Sequence, residues 1–268
     1  MSSESGYVRI ESGKLHYLRS GNGKKILLAF HGYGNSASLF SSFTNYLGKE
    51  YTIISIDLPY HGKSEWSEKE ALKKKDIIIL ADHFTKQHHV EKISLLGYSI
   101  GGKVCLSMVQ EIPEKIDKVL LIASAGLIFE PFFHFVTRNF AGRKLFTGLL
   151  TNPKKYLQVI DWLKNRKLIA ENRYRFVNYV QSEESRKFLL RAWPALKNMV
   201  PDQRKLKAII RQYRIPICIF MGKYDKIIPA DTALRFQKGL DTVSVTILPK
   251  GHRVFDAETL QQITNCLL

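Results

Sequence analysis

The sequence has few cysteines and no long apolar run, and both shortages exclude classes of protein. Its three cysteines, Cys105, Cys218 and Cys266, are odd in number and far apart, so they form neither a metal-ligand pattern nor a disulfide framework. No stretch of about 18 apolar residues occurs, which argues against a membrane-spanning helix. The first residues lack the basic-then-apolar order of a signal peptide. These absences predict a cytoplasmic protein with reduced thiols.

Acidic residues are also scarce: 24 Asp and Glu face 41 Lys and Arg, for a net charge of +17. The excess is concentrated in residues 127–214, which contain 19 basic and 6 acidic residues. The same segment contains 14 of the 30 aromatic residues. This shift in composition predicts a domain boundary at each end of the segment. The charge fits a solvated surface, and it also fits attraction to an anionic substrate or to an anionic lipid surface. No nucleic-acid motif accompanies it, so no nucleic-acid partner is expected.

Strand-like and helix-like segments alternate along the 268 residues, which suffice for one large α/β domain or two small ones. This alternation predicts a mostly parallel sheet covered by helices on both faces. Strands are predicted at 7–10, 14–19, 25–30, 51–56, 92–96, 118–123, 217–221 and 243–248. Helices are predicted at 38–47, 71–88, 230–240 and 255–268, after Ser99, and through most of 127–214.

The motif G-x-S-x-G at 97–101 joins a short apolar strand to a helix. A serine on so tight a turn adopts a strained backbone and presents its hydroxyl to solvent, while the new helix aims free N–H groups toward it. Gly97 and Gly101 leave room on either side of the turn. The motif alone is weak, and the strand before Ser99 with the helix after it gives it weight as a nucleophile.

Other chemistry-bearing residues also follow predicted strands, and sites in open parallel sheets form at the carboxyl ends of strands. A serine, an acid and a histidine therefore occur at three separate strand ends, in that order along the chain. The segments at these ends are His31–Gly34, Asp57–Pro59, 97–101, 222–225 and 249–252.

Taken together, these segments resemble the α/β-hydrolase superfamily, and the order Ser, Asp, His is that of the family. The resemblance implies an eight-stranded sheet with a helical cap inserted after the sixth strand. The core is then residues 1–126 and 215–268, and the cap is residues 127–214. It also implies that Ser99 is the nucleophile, that His252 is its base, and that Asp225 orients the imidazole.

The same resemblance assigns the oxyanion hole to the backbone N–H groups of Tyr33 and Ile100. The side chains of Tyr33 and Tyr98, near the serine, are candidates for substrate binding together with cap aromatics, although most cap aromatics are expected to pack the cap helices. Asp57 and His31 are interpreted as structural. No cofactor and no metal is expected.

Some of these residues also fit other roles. Ser99 fits a plain turn, and His252 fits a surface loop. Asp225 fits a helix N-cap, although Asp231 is better placed to cap the following helix.

A serine at the turn between this strand and helix implies acyl chemistry, since the dehalogenases and epoxide hydrolases of this fold carry an aspartate at that position. The predicted function is hydrolysis of a carboxylic ester or thioester through an acyl-Ser99 intermediate. Residues 97–103 with Asp57–Pro59 are also similar to the menaquinone-pathway synthase branch, which acts on a polyanionic substrate and commonly has Arg in place of Lys103. The alternatives are that lyase, a C–C hydrolase of an anionic substrate, and a non-catalytic ligand-binding protein of the same fold.

Overall fold

A computed structural model describes residues 4–67, 70–153 and 182–268, together with residues 158, 162, 165 and 166. The chain divides into two compact units. The first holds the described residues up to Ser67, then Leu72–Phe129 and Asn198–Leu268. The second holds the described part of Glu130–Lys197, with the residues just before Leu72. The sheet belongs to the first unit, and so do the predicted site residues Tyr33, Tyr98, Ser99, Ile100, Asp225 and His252.

The first unit is built on a nine-stranded sheet in the order β1-β2-β4-β3-β6-β7-β8-β9, with the two-residue β5 paired to β2. The pairs from β4 through β3 to β9 are parallel, and β1 and β2 are antiparallel. The predicted mostly parallel sheet is confirmed, and the short β5 adds to the eight strands expected. The strands are β1 Glu4–Ile10, β2 Gly13–Ser20, β3 Lys25–Phe30, β4 Tyr51–Ile56, β5 Glu65–Trp66, β6 Ile93–Tyr98, β7 Ile116–Ile122, β8 Ile217–Gly222 and β9 Val243–Leu248.

Helices follow the strands along the chain, as a parallel sheet requires. The α-helices whose bounds lie within the described residues are α1 Thr44–Leu47, α2 Lys74–His88, α3 Gly101–Glu111, α4 Pro131–Arg138, α5 Phe140–Thr151, α6 Glu183–Ala195, α7 Gln203–Tyr213, α8 Asp231–Gln237 and α9 Leu260–Thr264. Two 3-10 helices span Ala37–Phe43 and Pro113–Lys115.

Two of the predicted helices are less regular than expected, and in one of them a side chain competes for the backbone groups. The helix predicted at 255–268 is regular only in α9. Before α9, the Asp256 carboxylate accepts the Glu258 and Thr259 N–H groups, which holds a turn. The helix predicted at 38–47 is a 3-10 helix followed by the single turn of α1.

The core lies on both faces of the central strands, and β4 and β6 are buried along their whole length. Their isoleucine and leucine runs suit a parallel sheet that is covered on each side. Phe43 of the 3-10 helix and Ile263 of α9 pack in the same hydrophobic cluster as Tyr51 of β4, which holds both helices against the sheet. This rigid base fixes the ends of β6, β8 and β9, where the candidate site residues follow.

The second unit contains α4, α5 and α6, whose aromatic side chains pack on one another. Trp193 stacks on Phe146 at 5.4 Å between ring centroids and lies 5.6 Å from Phe133. The unit ends at Lys197, whereas the sequence predicts an insertion that runs to residue 214. The difference is α7, which groups with the first unit because its buried Leu206 and Ile210 lie on the side that packs against α3. Among the described helices, none is both long enough and apolar enough to cross a membrane.

Candidate active site

Ser99 occupies a strained turn between β6 and α3. Its φ of 51° lies in the left-handed region that a non-glycine residue seldom adopts. The backbone around it is firmly held: the Ser99 N–H donates to the Ile122 carbonyl at 2.9 Å, and the Ser99 carbonyl accepts the Ala125 N–H at 2.9 Å. These bonds tie the turn to the residues at the end of β7. Strain held in this way by surrounding contacts is typical of a functional position.

The glycines that flank Ser99 allow the turn to lie against its neighbours. A Cβ on Gly101 would stand 2.0 Å from the Phe30 carbonyl oxygen and 2.7 Å from that of His31. A Cβ on Gly97 would stand 2.7 Å from the Cα of Gly102. Real Cβ atoms do not approach backbone atoms so closely, so both positions require glycine. The start of α3 therefore lies directly against the loop that follows β3.

Ser99, His252 and Asp225 form one chain of hydrogen bonds. The His252 Nε2 atom lies 2.9 Å from the Ser99 Oγ atom, and the His252 Nδ1 atom lies 2.7 Å from the Asp225 Oδ2 atom. The three residues come from the ends of β6, β9 and β8, and these strands share one sheet. The Asp225 side chain is fully buried, whereas the His252 side chain keeps 20% of its surface exposed. The imidazole thus links a shielded carboxylate to a serine hydroxyl and retains access to solvent.

The second oxygen of Asp225 is also used. Its Oδ1 atom accepts the N–H groups of Ile227 at 2.8 Å and Ile228 at 2.9 Å, so both carboxylate oxygens have fixed partners. These are bonds within the loop after β8 rather than a cap on α8. Asp231 lies in the first turn of α8 and pairs with Arg235 at 2.6 Å. The carboxylate at 225 is therefore held in one orientation toward His252.

The two candidate oxyanion donors lie on neighbouring segments. Tyr33 is on the loop after β3 and Ile100 is at the start of α3, and these two segments lie side by side. β3 and β6 are parallel neighbours, with Phe30 opposite Gly97 at their carboxyl ends. Gly32 packs on the Tyr98 ring, since a Cβ there would stand 2.8 Å from that ring. Ile100 is the N-cap residue of α3, whose first N–H groups carry partial positive charge.

Two buried histidines organise the loop that carries Tyr33. The Leu58 N–H donates to His31 Nε2 at 3.0 Å, and His31 Nδ1–H donates to the Gly32 carbonyl at 2.7 Å. In the same way, His61 Nε2 accepts the Gly34 N–H at 3.3 Å while His61 Nδ1–H donates to the Pro59 carbonyl. Because each Nε2 accepts, both imidazoles are neutral with the proton on Nδ1.

The electrostatics agree with these neutral forms. Burial lowers the pKa of His31 to about 3, with the nearby His61 adding to the effect. Burial also lowers the pKa of His61. Neither imidazole therefore gains a proton near neutral pH, and the backbone bonds that hold Gly32 and Gly34 stay intact there.

Asp57 is the centre of a buried hydrogen-bond network that joins β2 to the loops after β3 and β4. Its carboxylate accepts the Ala37 N–H at 2.6 Å and the Lys63 N–H at 2.9 Å, and it lies 2.8 Å from His16 Nδ1. The Ser64 hydroxyl completes the network by donating to the Asp57 carbonyl. These contacts hold loop backbone in place. The role of His16 was not predicted from sequence, because His16 lies in no motif.

Tyr98 supports the histidine from behind. Its ring centroid lies 5.4 Å from that of His252, and its hydroxyl donates to the His252 carbonyl at 3.5 Å. Burial raises the pKa of Tyr98 to about 12, with the Asp225 charge adding to the effect, so the hydroxyl stays protonated as a donor. Tyr33 is half-buried, with its ring against His61. Substrate contact by either tyrosine stays a prediction.

No group of three or more His, Cys, Asp or Glu side chains suited to a metal ion occurs among the described residues.

Known proteins match this chain over most of its length. Residues 21–252 match the family model described as "Serine aminopeptidase, S33". A 2-hydroxy-6-oxo-6-(2'-aminophenyl)hexa-2,4-dienoic acid hydrolase from Metapseudomonas resinovorans is 28% identical, covering 93% of this chain and 86% of that protein. A pimeloyl-(acyl-carrier protein) methyl ester esterase from Nitrosomonas europaea is 23% identical, covering 90% of this chain and 93% of that protein.

A solved structure agrees in fold. Carboxylesterase CesB (YbfK) from Bacillus subtilis superposes with a TM-score of 0.63 at 18% identity, covering 98% of this chain and 90% of that chain. At this level of identity the similarity concerns the architecture alone: a mostly parallel sheet flanked by helices.

Proposed function

Because this chain belongs to the serine aminopeptidase S33 family, and so is an α/β-hydrolase enzyme, we propose that it hydrolyses a carboxylic ester or thioester. The observation that carries the proposal is the hydrogen-bond chain from Ser99 Oγ through His252 to Asp225, at 2.9 Å and 2.7 Å. A serine hydroxyl is a weak nucleophile at neutral pH unless an adjacent base removes its proton. His252 is such a base, and Asp225 fixes its tautomer.

The reaction proceeds in two halves. Ser99 Oγ attacks the acyl carbon while His252 Nε2 takes the hydroxyl proton, and the same nitrogen then gives this proton to the departing alcohol or thiol. His252 next takes a proton from water as the water attacks the acyl-Ser99 ester, and it gives this proton to Ser99 Oγ when the acid is released. Throughout, the Asp225 carboxylate stabilises the imidazolium without accepting its proton.

The developing oxyanion needs donors that are already oriented. The N–H groups of Ile100 and Tyr33 supply them, because the start of α3 and the loop after β3 lie against each other at Gly101. The His31 and His61 bonds on either side of Tyr33 preserve the loop conformation. Removing one donor of this type costs other enzymes about a hundredfold to a thousandfold in kcat.

The substrate class that fits best is anionic. The net charge of +17 produces a field that concentrates negatively charged molecules around the protein. The relative from Metapseudomonas resinovorans is named for a dienoic acid, and the relative from Nitrosomonas europaea for an ester of a carrier-protein-bound acid. We therefore propose an ester or thioester whose acyl part carries a second acidic group.

A second candidate reaction is C–C bond hydrolysis. The acid named for the Metapseudomonas resinovorans relative carries a hydroxyl, a ketone and a carboxylic acid, and no ester. Hydrolysis of such a molecule must break a C–C bond beside the ketone. The same serine and histidine suit that reaction, in which the leaving group is a carbanion equivalent that must be protonated.

The test is turnover of two substrate series by the wild type and by Ser99→Ala. The first series is p-nitrophenyl esters of increasing acyl length, and the second is 2-hydroxy-6-oxo-dienoic acids that lose their absorbance on cleavage. Ser99→Ala should lower turnover about a thousandfold or more. Ser107→Ala is the matched control, because Ser107 is a buried serine on the same α3 helix.

The two series separate the candidates. Faster turnover of esters than of dienoic acids supports ester hydrolysis, and the reverse order supports C–C hydrolysis. Equal turnover of esters by wild type and Ser99→Ala would contradict both.

A further inference from the structure

Two cysteines that are distant in sequence meet on one face of the sheet. Cys218 lies on β8, and Cys266 follows α9. Both are half-buried and pack against the same hydrophobic cluster, which includes Leu120 and Ile263. Both are free thiols, whereas Cys105 on α3 is fully buried.

The strand register explains why the two cysteines lie close together. Cys218 is opposite Leu120 of β7 and Ser244 of β9, and in-register residues of neighbouring strands face the same side of a sheet. Lys118 precedes Leu120 by two positions on β7, so it faces that side as well. Its ammonium group donates to the Leu267 carbonyl at 3.0 Å, which holds the residue next to Cys266 against β7.

A second bond fixes the same short segment. The Tyr51 hydroxyl donates to the Leu267 carbonyl at 2.9 Å, so this one carbonyl is held from both β4 and β7. Cys266 therefore lies on a segment that is anchored on the sheet, beside the strand that carries Cys218.

The environment of the pair favours reaction of the Cys218 sulfur. The neighbouring Cys266 thiol stabilises a Cys218 thiolate by hydrogen bonding, and Ser244 and the Lys118 charge add to this effect, which lowers the pKa of Cys218. In contrast, burial raises the pKa of Cys105 far above its usual range. A thiolate is the reactive form of cysteine, so oxidation should select the pair over Cys105.

We propose that Cys218 and Cys266 form an intramolecular disulfide when the protein meets a hydroperoxide. The observations that point to it are the packing of both cysteines against one hydrophobic cluster, the anchored Leu267 carbonyl, and the partial exposure of both residues. Cys218 is the second residue of β8, whereas Asp225 follows the opposite end of that strand.

The reaction balances with hydrogen peroxide as the oxidant. The Cys218 thiolate attacks one peroxide oxygen, the O–O bond breaks, and Cys218 becomes a sulfenic acid. The other oxygen leaves as hydroxide and becomes water with the proton that the Cys218 thiol released. The Cys266 sulfur then attacks the sulfenic sulfur, and the displaced hydroxide leaves as water with the thiol proton. Two thiols have lost two electrons in total, and one peroxide has become two waters.

The disulfide would enclose the part of the chain that supplies two members of the candidate triad. Both Asp225 and His252 lie between Cys218 and Cys266 in sequence. A cross-link that closes a loop of several tens of residues restricts the unfolded chain and stabilises the fold. We expect the oxidised protein to unfold about 5 °C or more above the reduced protein.

The experiment is a titration of the full chain with hydrogen peroxide, followed by alkylation, intact mass and non-reducing peptide mapping. The expected result is loss of two hydrogen atoms per chain, a peptide linked through Cys218 and Cys266, and Cys105 alkylated only after unfolding. Reduction with dithiothreitol should restore the original mass and the lower unfolding temperature.

Single substitutions supply the controls. Cys218→Ser and Cys266→Ser should not lose the two hydrogens, whereas Cys105→Ser should behave as the wild type. If a cysteine variant fails to fold, the presence or absence of the linked peptide in the oxidised wild type still tests the proposed disulfide. Oxygen added to Cys218 with Cys266 still free, disulfides between chains, or no reaction of the pair would each overturn the proposal.

Discussion

At the scale of single residues, hydrogen bonds hold the Asp225 side chain in one orientation. One carboxylate oxygen accepts two loop N–H groups, and the other lies 2.7 Å from His252. An amide at this position would present an N–H group to the imidazole and favour the wrong tautomer. Because an amide has nearly the same shape as a carboxylate, this effect can be separated from folding.

We therefore expect Asp225→Asn to lower kcat about a thousandfold or more while the fold is unchanged. Activity on a p-nitrophenyl ester and circular dichroism measure the two quantities. Asp231→Asn is the control, since its exposed carboxylate pairs only with Arg235 among the contacts described. If Asp225→Asn kept full activity, a different acid would orient His252.

His31 gives a pH prediction with a definite sign. Its folded pKa is about 3, below the ordinary value of 6.5, so between these values the unfolded chain binds a proton that the folded chain does not. The stability it contributes is complete above about pH 6.5 and falls as the pH drops toward 3. His61 acts in the same direction.

Urea unfolding at pH 7 and pH 5 measures this loss. The wild type should lose stability between the two pH values, and His31→Gln should lose less, although it starts less stable. His89→Asn removes an exposed histidine from the left-handed position after α2. This variant should lose as much stability between pH 7 and pH 5 as the wild type. Equal losses for His31→Gln and the wild type would show that His31 does not titrate in this way.

At the scale of elements, the turn between β6 and α3 depends on Gly101. An alanine there would drive its Cβ into the Phe30 carbonyl, so the loop after β3 or the start of α3 must move. We expect Gly101→Ala to destabilise the fold by about 2 kcal/mol or more, or to prevent soluble expression. Thermal unfolding measures the change.

Gly251→Ala is the matched substitution, because a Cβ at Gly251 would meet no atom within 4 Å. It should leave the unfolding temperature within about 2 °C of the wild type, since it falls within the ordinary range for a surface change. Similar losses from both alanines would show that contact with Phe30 is not the cause.

Eight of the nine strands, and the three residues Ser99, Asp225 and His252 that the structure joins by hydrogen bonds, could be predicted from sequence, but several other features could not. β3, β6 and β8 carry short apolar runs that end at glycine or histidine, so both the strand and the residue after it could be recognised. Contacts between distant parts of the chain left no such signal. The hydrogen bond between His16 and Asp57, and the proximity of Cys218 to Cys266, depend on strand order and register rather than on local pattern.

The ends of the helices and the extent of the second unit could not be predicted from the sequence either. Helical periodicity through 127–214 did not show that α7 groups with the first unit, because an amphipathic helix does not identify its partner. Predictions that fall on residues 154–157, 159–161, 163–164 and 167–181 lie outside the described residues. Among the segment's described aromatics, Phe133, Phe146 and Trp193 pack within the second unit.

At the scale of the whole molecule, the net charge of +17 predicts a dependence on ionic strength. Raising salt from about 0.01 M to about 0.15 M shortens the screening length from about 30 Å to about 8 Å. The kcat/KM for an ester with a second carboxylate should then fall several-fold, and that for a neutral ester of the same length should not. Parallel behaviour of the two esters would contradict an anionic substrate.

The central claim is that Ser99 is an activated nucleophile, and reaction with a fluorophosphonate followed by intact mass and peptide mapping tests it most directly. We predict one adduct per chain, located on Ser99, that is absent from Ser99→Ala and retained by Ser107→Ala. A wild type that stays unlabelled, or that carries the adduct at another residue, would contradict the claim.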